Sequence, residues 1–255
     1  MHDGRAASSN YDRIAHLYDV DMGRNMAFDD AAFYVDLATR AGGRVLEVGC
    51  GNGRILLELL RHGVDAVGID ASAGMLKELH RKAAERGVDA AVCRMDARKL
   101  AFRAAFSVVL CPYSLITYMT EGDDSARLLS GVRDALTPTG IVVVDAFIPR
   151  QTTPGGEFRV DYRREHPAGV LVRSKRVATV GSRTNRIERR YELVAADGRL
   201  VERIDTCEDI CPYWPDEIVA MLTRSGFAID RSWRDYGASP AGEGQFITVS
   251  ARKLR

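Results

Sequence analysis

The chain reads as an α/β protein: a doubly wound, mostly parallel sheet of seven strands interrupted by an antiparallel β insert. Three observations carry that reading. From residue 45 to residue 147, apolar runs of strand length alternate with amphipathic runs of helix length, the pattern of right-handed crossovers that cover both faces of a parallel sheet. The glycine-rich turn in "VLEVGCGNGRILLELL" (45–60) joins the first strand to the first of those helices. From residue 156 to about 210 the hydrophobic period becomes two, punctuated by "PAG", "GS" and "ADG", as in antiparallel hairpins.

Taken in order, residues 1–9 are small and polar, and disorder is expected there. From Asn10 a helical period puts Tyr11, Ile14, Ala15, Tyr18 and Met22 on one face, and a second amphipathic stretch runs from about residue 27 to 39, ended by "AGG". "RVLEVG" is then a buried strand, "NGRILLELLRHG" a helix stopped at Gly63, and "DAVGID" a strand. "SAGMLKELHRKAAERG" is a helix with Ser72 as N-cap and Gly87 as its stop. "DAAVCRMD" and "AFSVVLCPY" are strands, "DDSARLLSGVRDALTPTG" a helix, and "IVVVDAF" a strand. The insert, "EFRVDYRREHP" to "RLVERIDTCEDI", holds three or four strands. "WPDEIVAMLTRSGF" is a helix with Pro215 in its first turn and Gly226 past its end, followed by the strands "AIDRSWRDY" and "QFITVSARK" joined by "GASPAGEG". The expected division is a helical lid (1–40), a ligand-binding core (41–155), the insert as substrate cap or dimer interface (156–210), and the rest of the core sheet (211–255).

A hydrophobic content of 46% is ample for a core, and 36 basic against 35 acidic residues leave a net charge of +1. No global field draws such a chain to nucleic acid or to a membrane. Five cysteines, an odd number spread over strand-like runs, suit a reducing compartment. With no apolar leader at the start and no run near membrane-spanning length, a cytoplasmic location is expected.

The glycine turn could hold several ligands. Its glycines are Gly49, Gly51 and Gly53, and Arg54 stands where a dinucleotide fingerprint needs a small third residue. No Gly-Lys-Ser/Thr follows, which removes a P-loop. Asp70 ends the second strand 21 residues beyond Gly49, where a carboxylate can accept from both ribose hydroxyls, and Asp96 ends the third on the same edge. Two acids beside a glycine turn call for a donor-rich ligand, although either alone also reads as a helix cap. Glu47, two residues before the first glycine, repels a pyrophosphate and favours a cation. S-adenosylmethionine, with its ammonium, sulfonium, ribose and adenine amino group, meets all of these conditions.

"VLEVGCGNG", "GIDAS", "CRMDA" and "IVVVDAF", in that order, resemble motifs I, II, III and the fifth strand of class I S-adenosylmethionine-dependent methyltransferases of the small-molecule type. The resemblance covers most of the chain and implies their Rossmann-like fold, with "QFITVSARK" antiparallel in the sheet. It implies that Gly49 and Gly51 pass under the methionine part, with Glu47 orienting the loop and its ammonium. It further implies Asp70 on the ribose, Asp96 on the adenine amino group, and Ala71, Met75 and Ala97 along the adenine slot. "YDRIAHLYD" resembles the family's N-terminal lid, which would bring Tyr11 and Tyr18 to the methionine carboxylate; helix packing is the equal alternative.

The sulfonium already activates the methyl group, so transfer needs position and an unprotonated nucleophile. The loop after the fourth strand, "CPYSLITYM", should border it, with Cys111 as a small strand end at the cofactor and Tyr113 as the acceptor-side contact. Cys111-Pro112-Tyr113-Ser114 matches neither the Asp/Asn-Pro-Pro-Tyr of nucleic-acid amino-methyltransferases nor the Pro-Cys of cytosine C5 enzymes. His62 and His80 sit at helix ends, which leaves His16 in the lid and His166 at an insert turn as candidate bases. "CEDIC" has no matching pair, its Cys207 and Cys211 should share a core-facing side, and no metal is expected.

Between residues 156 and 204 the insert carries twelve basic residues against seven acids. That excess is either a solvated sheet face or a contact for a phosphate-bearing substrate. The insert and "CPYWPDEIVAMLTRSGF" together resemble the aminosugar N-methyltransferases, which implies a nucleotide-linked aminosugar or a related metabolite as the small-molecule acceptor, methylated at N or O. Two rivals stand beside this: an RNA methyltransferase using the basic insert, and a catalytically silent binding module. Neither nucleic acid nor membrane is an expected partner, and a homodimer is compatible with the insert.

Overall fold

The computed structural model describes residues 5–22, 29–149 and 157–254. Its elements in chain order are α1 (Arg5–Ile14), α2 (Tyr18–Met22), α3 (Asp30–Ala41), β1 (Val45–Val48), α4 (Leu56–Arg61), β2 (Ala66–Asp70), α5 (Ala73–Glu85), β3 (Ala91–Arg94), β4 (Phe106–Cys111), α6 (Asp124–Ala135) and β5 (Leu136–Phe147). There follow β6 (Arg159–His166), β7 (Gly169–Thr179), β8 (Asn185–Val194), β9 (Leu200–Ile210), α7 (Pro215–Arg224), β10 (Phe227–Arg234) and β11 (Phe246–Lys253). They form two compact units: residues 29–149 with 212–254, and residues 5–22 with 157–211.

The first unit is the seven-stranded sheet, in the order β10-β11-β5-β4-β1-β2-β3. β1 pairs in parallel with β2 and β4, and β11 runs antiparallel between β5 and β10. β1 is buried along its whole length, as a central strand covered on both faces must be. The core gathers Leu46, Val48, Ile69, Val109 and Val144 from the sheet with Leu128, Val132 and Leu222 from α6 and α7. Chain order reverses between β1 and β4, and at that switch point the carboxyl ends of the strands open a crevice.

Local chemistry sets the boundaries. Asp29 caps α3 by accepting from the Ala32 N–H at 2.9 Å, and Ser72 caps α5 by accepting from the Met75 N–H at 3.1 Å. α6 stops at Ala135, before the expected "TPTG", and β5 starts at once. The β4–β5 ladder pairs Phe106 with Leu136 and resumes only at Val108 with Ile141. Pro138 in the gap has no N–H to offer a ladder.

In the second unit the four strands form one antiparallel sheet, β6-β7-β8-β9. α1 begins at Arg5, so the expected disorder of residues 1–9 does not hold from Arg5 onward; residues 1–4 lie outside the described residues. Docking supplies what a short polar helix lacks by itself. Asn10 Nδ2 donates to the Cys207 carbonyl at 2.7 Å and Arg13 to the Asp205 carbonyl at 2.7 Å. A 3-10 turn over Ala15–Leu17 shifts the helical phase, so Leu17 joins Ile14 in a cluster with Leu171, Tyr191 and Ile204. Beneath α2, Asp21 is 3% exposed and accepts from Tyr162 at 2.6 Å, Tyr191 at 3.2 Å and the Arg173 guanidinium.

Gly53 holds the tightest approach at the glycine turn. At φ +85°, a Cβ there would stand 2.9 Å from both Leu57 Cγ of α4 and Leu79 Cγ of α5. Gly53→Ala should therefore destabilise the chain by about 2 kcal/mol in urea unfolding. A loss under about 0.5 kcal/mol would mean that the two helices yield freely.

Candidate active site

The glycine turn folds back on the end of β2: the N–H groups of Gly49 and Cys50 both donate to the Ile69 carbonyl, at 2.8 and 2.9 Å. Gly51 takes φ +53° with open space where a Cβ would be, so the backbone itself faces the crevice. Asp70 links this turn to α5. Its Oδ2 accepts from the Gly51 N–H and its Oδ1 from the Ser72 N–H, each at 2.8 Å. Ala71 is half-buried beside it and Met75 is buried in the first turn of α5.

Glu47 lies within β1, 2% exposed, and its Oε2 has no hydrogen-bond partner among the described residues. Burial holds its carboxyl well above the usual glutamate range, with the nearby Arg54 charge pulling the other way. Arg54 is bound to Asp30 of α3 through both nitrogens, at 2.5 and 2.7 Å, and its guanidinium carbon lies 5.5 Å from the centre of the Tyr113 ring. The residue that breaks the dinucleotide fingerprint thus ties α3, the glycine turn and the loop after β4 together.

Asp96 is not a lone acid. The Arg98 guanidinium grips it at 2.7 to 3.2 Å and the Arg98 N–H adds a bond at 2.9 Å, while Arg98 also reaches Asp124 at 3.4 Å. These bonds hold the Asp96 carboxyl below its usual range. Ala97, half-buried, opens the 3-10 turn that follows.

Cys111, fully buried at the end of β4, has its thiol pushed up to about 12 by burial, so it stays protonated. After Pro112 come two successive non-glycine residues in the left-handed region, Tyr113 at φ 55° and Ser114 at φ 60°. Their N–H groups donate to the Asp145 carboxylate at 2.9 and 2.5 Å. Asp145, fully buried near the end of β5, also accepts from the hydroxyls of Tyr34 at 2.6 Å and Tyr236 at 2.8 Å. The Tyr113 ring stacks on Phe246, with centres 6.3 Å apart and planes 28° apart. Tyr34 and Tyr236 have no motif to mark them; Asp145 and Phe246 lie in the quoted strands "IVVVDAF" and "QFITVSARK", and the signal of a role was an acid at the end of an otherwise apolar strand.

Tyr11, Tyr18 and His166 lie in the other unit. The two tyrosine rings meet edge-on at 6.1 Å and pack against the Ile14–Leu17 cluster. The His166 ring accepts from the Ala168 N–H at 3.1 Å in the β6–β7 turn. His16 bonds Glu202 at 2.9 Å, and His62 caps α4 on the Glu58 carbonyl at 2.8 Å. Cys207 and Cys211 do not share a buried side: Ile204, Thr206, Glu208 and Ile210 face inward along β9, which turns Cys207 outward, and Cys211 is buried just past the end of the strand.

The insert's cations are largely neutralised within its own sheet. Arg176 pairs with Glu188, Arg186 with Asp209, Arg189 with Glu208, Arg190 and Arg203 with Asp205, and Arg173 and Lys175 with Asp161. Asp205, Glu208 and Asp209 fall just beyond residue 204; counted to Ile210 the insert has twelve basic and ten acidic residues.

Residues 45–140 match the family model of a methyltransferase domain. Aklanonic acid methyltransferase of Streptomyces sp. (strain C5) is 34% identical over 163 residues, 58% of this chain and 69% of that protein. The chain belongs to the S-adenosylmethionine-dependent methyltransferases. Over 240 residues, 93% of its length and 97% of the relative's, the methyltransferase is 25% identical to dTDP-3-amino-3,4,6-trideoxy-alpha-D-glucopyranose N,N-dimethyltransferase of Streptomyces venezuelae. A solved S-adenosylmethionine-dependent methyltransferase from Clostridium acetobutylicum ATCC 824 superimposes with a TM-score of 0.78 at 16% identity, covering 96% of this chain and 99% of that one. S-adenosylmethionine is the cofactor, and the donor set suits it: an orphaned buried Glu47 oxygen for a cation, an open backbone cradle at Gly51, and Asp70 at the strand end.

Because burial raises the Glu47 pKa, a cationic ligand bound beside it should lower that pKa again and so release protons on binding. Calorimetry with S-adenosylmethionine in two buffers of different ionisation heat should show this release, with affinity rising with pH, and Glu47→Gln should abolish it. In the unliganded protein the folded-state pKa lies above the unfolded one, so the Glu47 contribution to stability falls as pH rises past the ordinary glutamate value. Glu47→Gln should flatten that part of the profile.

Proposed function

We propose that this methyltransferase transfers a methyl group to the amine of a nucleotide-linked aminosugar. The carrying observation is the alignment with the Streptomyces venezuelae enzyme, which at 93% of this chain and 97% of that one takes in the insert and α7 rather than stopping at the cofactor motifs. The insert arginines do not carry it, since ion pairs within the sheet engage most of them. A second reading, transfer to an acid, is favoured by the aklanonic acid methyltransferase match.

The bound sulfonium supplies an activated methyl group, and the chain's own residues supply position. In this reading Gly49 and Gly51 lie under the methionine part and Glu47 faces its ammonium. Asp70 holds the ribose and Asp96 the adenine amino group, with Ala71, Met75, Ala97 and the buried Cys111 shaping the surrounding surface. Tyr113 stands on the acceptor side, where its hydroxyl can hydrogen-bond the nucleophile, and the Arg54 charge over its ring disfavours a cationic, protonated amine nearby.

A panel of amine and acid acceptors with methyl-labelled S-adenosylmethionine tests the reading: label should enter a dTDP-linked 3-aminosugar and not aklanonic acid, and the reverse result would favour the acid. Asp70→Ala should weaken S-adenosylmethionine binding by about 2 to 3 kcal/mol. Tyr113→Phe should lower kcat roughly tenfold, the worth of one hydrogen bond at the transition state, with cofactor affinity unchanged. Filter binding should retain no RNA even at low salt, where an RNA methyltransferase would hold it.

A further inference from the structure

We propose that Asp145 is a positioning residue of methyl transfer: by holding the left-handed Tyr113–Ser114 pair it fixes where the Tyr113 ring stands beside the acceptor. The inference rests on the reading above that Tyr113 is the acceptor-side contact.

Two consecutive non-glycine residues with φ near 60° are strained by about 1 to 2 kcal/mol each. Such a pair persists only where its surroundings over-determine it, and it concentrates at functional sites. Here one carboxylate holds both N–H groups, while Ser114 is held further by the Thr117 N–H on its carbonyl and the Phe147 N–H on its Oγ, each at 2.9 Å. Successive N–H groups in this conformation form a concave anion seat, and Asp145 fills it from inside the chain, one oxygen to each N–H. The same carboxylate is anchored by the Tyr34 and Tyr236 hydroxyls, whose pKa values burial drives well above the usual tyrosine range, so both remain donors. Asp145 is fully buried and its carboxylate is taken up by these four donors, so it acts through Tyr113 and not on the substrate.

A parallel device seats the other side of the ring. Asp235, 2% exposed and itself left-handed at φ 47°, accepts from the N–H groups of Gln245 and Phe246 at 2.7 and 2.9 Å. Phe246 is thereby set against the Tyr113 ring, with Arg54 also on it. The ring direction is thus set by the carboxylate behind its backbone and two groups against its π system, and of these the carboxylate is the one that holds the Tyr113 N–H.

Asp145→Asn keeps the shape but replaces one acceptor oxygen with a donor facing the same N–H and O–H groups. In the full chain with S-adenosylhomocysteine bound, amide exchange at Tyr113 and Ser114 should speed at least tenfold while affinity for S-adenosylhomocysteine stays within threefold of wild type. With a dTDP-linked 3-aminosugar as acceptor, kcat should fall at least tenfold with the KM for S-adenosylmethionine unchanged. Adding Ser114→Gly, which tolerates φ near 60° unaided, should recover part of that kcat without restoring the melting temperature; a purely structural role would give no such recovery. Unchanged exchange at Tyr113, or unchanged kcat despite faster exchange, overturns the proposal. If Asp145→Asn does not fold, the double variant carries the same exchange reading, and wild-type protection at Tyr113 in it is again fatal. If the wild-type protein leaves the sugar unmethylated, the acceptor reading fails, while the exchange measurements still decide whether Asp145 holds the loop.

Discussion

The fully buried carboxylate of Asp145 is the constraint on which the carboxyl ends of β4 and β5 depend. It sits near the end of β5 and receives four donors from three other places: α3, the loop after β4, and the turn after β10. A buried carboxylate without donors would be several kcal/mol unfavourable and would take up a proton. Burial does raise its pKa, and the four hydrogen bonds work against that rise. Removing any one element would leave the acid under-satisfied, so α3, the β4 loop and the C-terminal turn are coupled through a single side chain.

The same solution recurs along the crevice. Asp70 holds the N–H groups of Gly51 and Ser72, Asp96 that of Arg98, and Asp235 those of Gln245 and Phe246. Each is a loop that leaves a strand and must satisfy backbone donors with no ladder partner. An aspartate does this with two oxygens and a short, stiff side chain, and it leaves negative charge near the crevice. Arginines moderate that charge: Arg54 on Asp30 and Arg98 on Asp96 and Asp124. Glu47 is the exception, buried with an unmatched oxygen, and that imbalance suits the cationic end of S-adenosylmethionine.

Charge read along the chain and charge arranged in space differ most in the insert. A local surplus of arginine suggests a phosphate surface, but antiparallel pairing sets β8 opposite β9, where Asp205, Glu208 and Asp209 meet Arg186, Arg189 and Arg190. Register decides which charges are neighbours, and register lies outside any window of linear sequence. The likeness to a sugar N,N-dimethyltransferase therefore stands on shared architecture more than on a basic patch.

Periodicity and punctuation determined the strand and helix order, the antiparallel character of the insert and the glycine turn, because these are short-range consequences of side-chain alternation, caps and breakers. Glu47, Gly49, Gly51, Asp70 and Asp96 were legible for the same reason: spacing within strand-turn-helix units places them at strand ends. The tertiary structure alone decided their partners. Arg98 beside Asp96 lay two residues away and could have been read; Asp30 beside Arg54, and Tyr34 and Tyr236 on Asp145, are separated by 24, 111 and 91 residues. It also extended α1 back to Arg5 through docking on β9, turned Cys207 outward within β9 and buried Cys211 just past its end. Contacts of that span depend on how strands order across the sheet, and no local pattern encodes them.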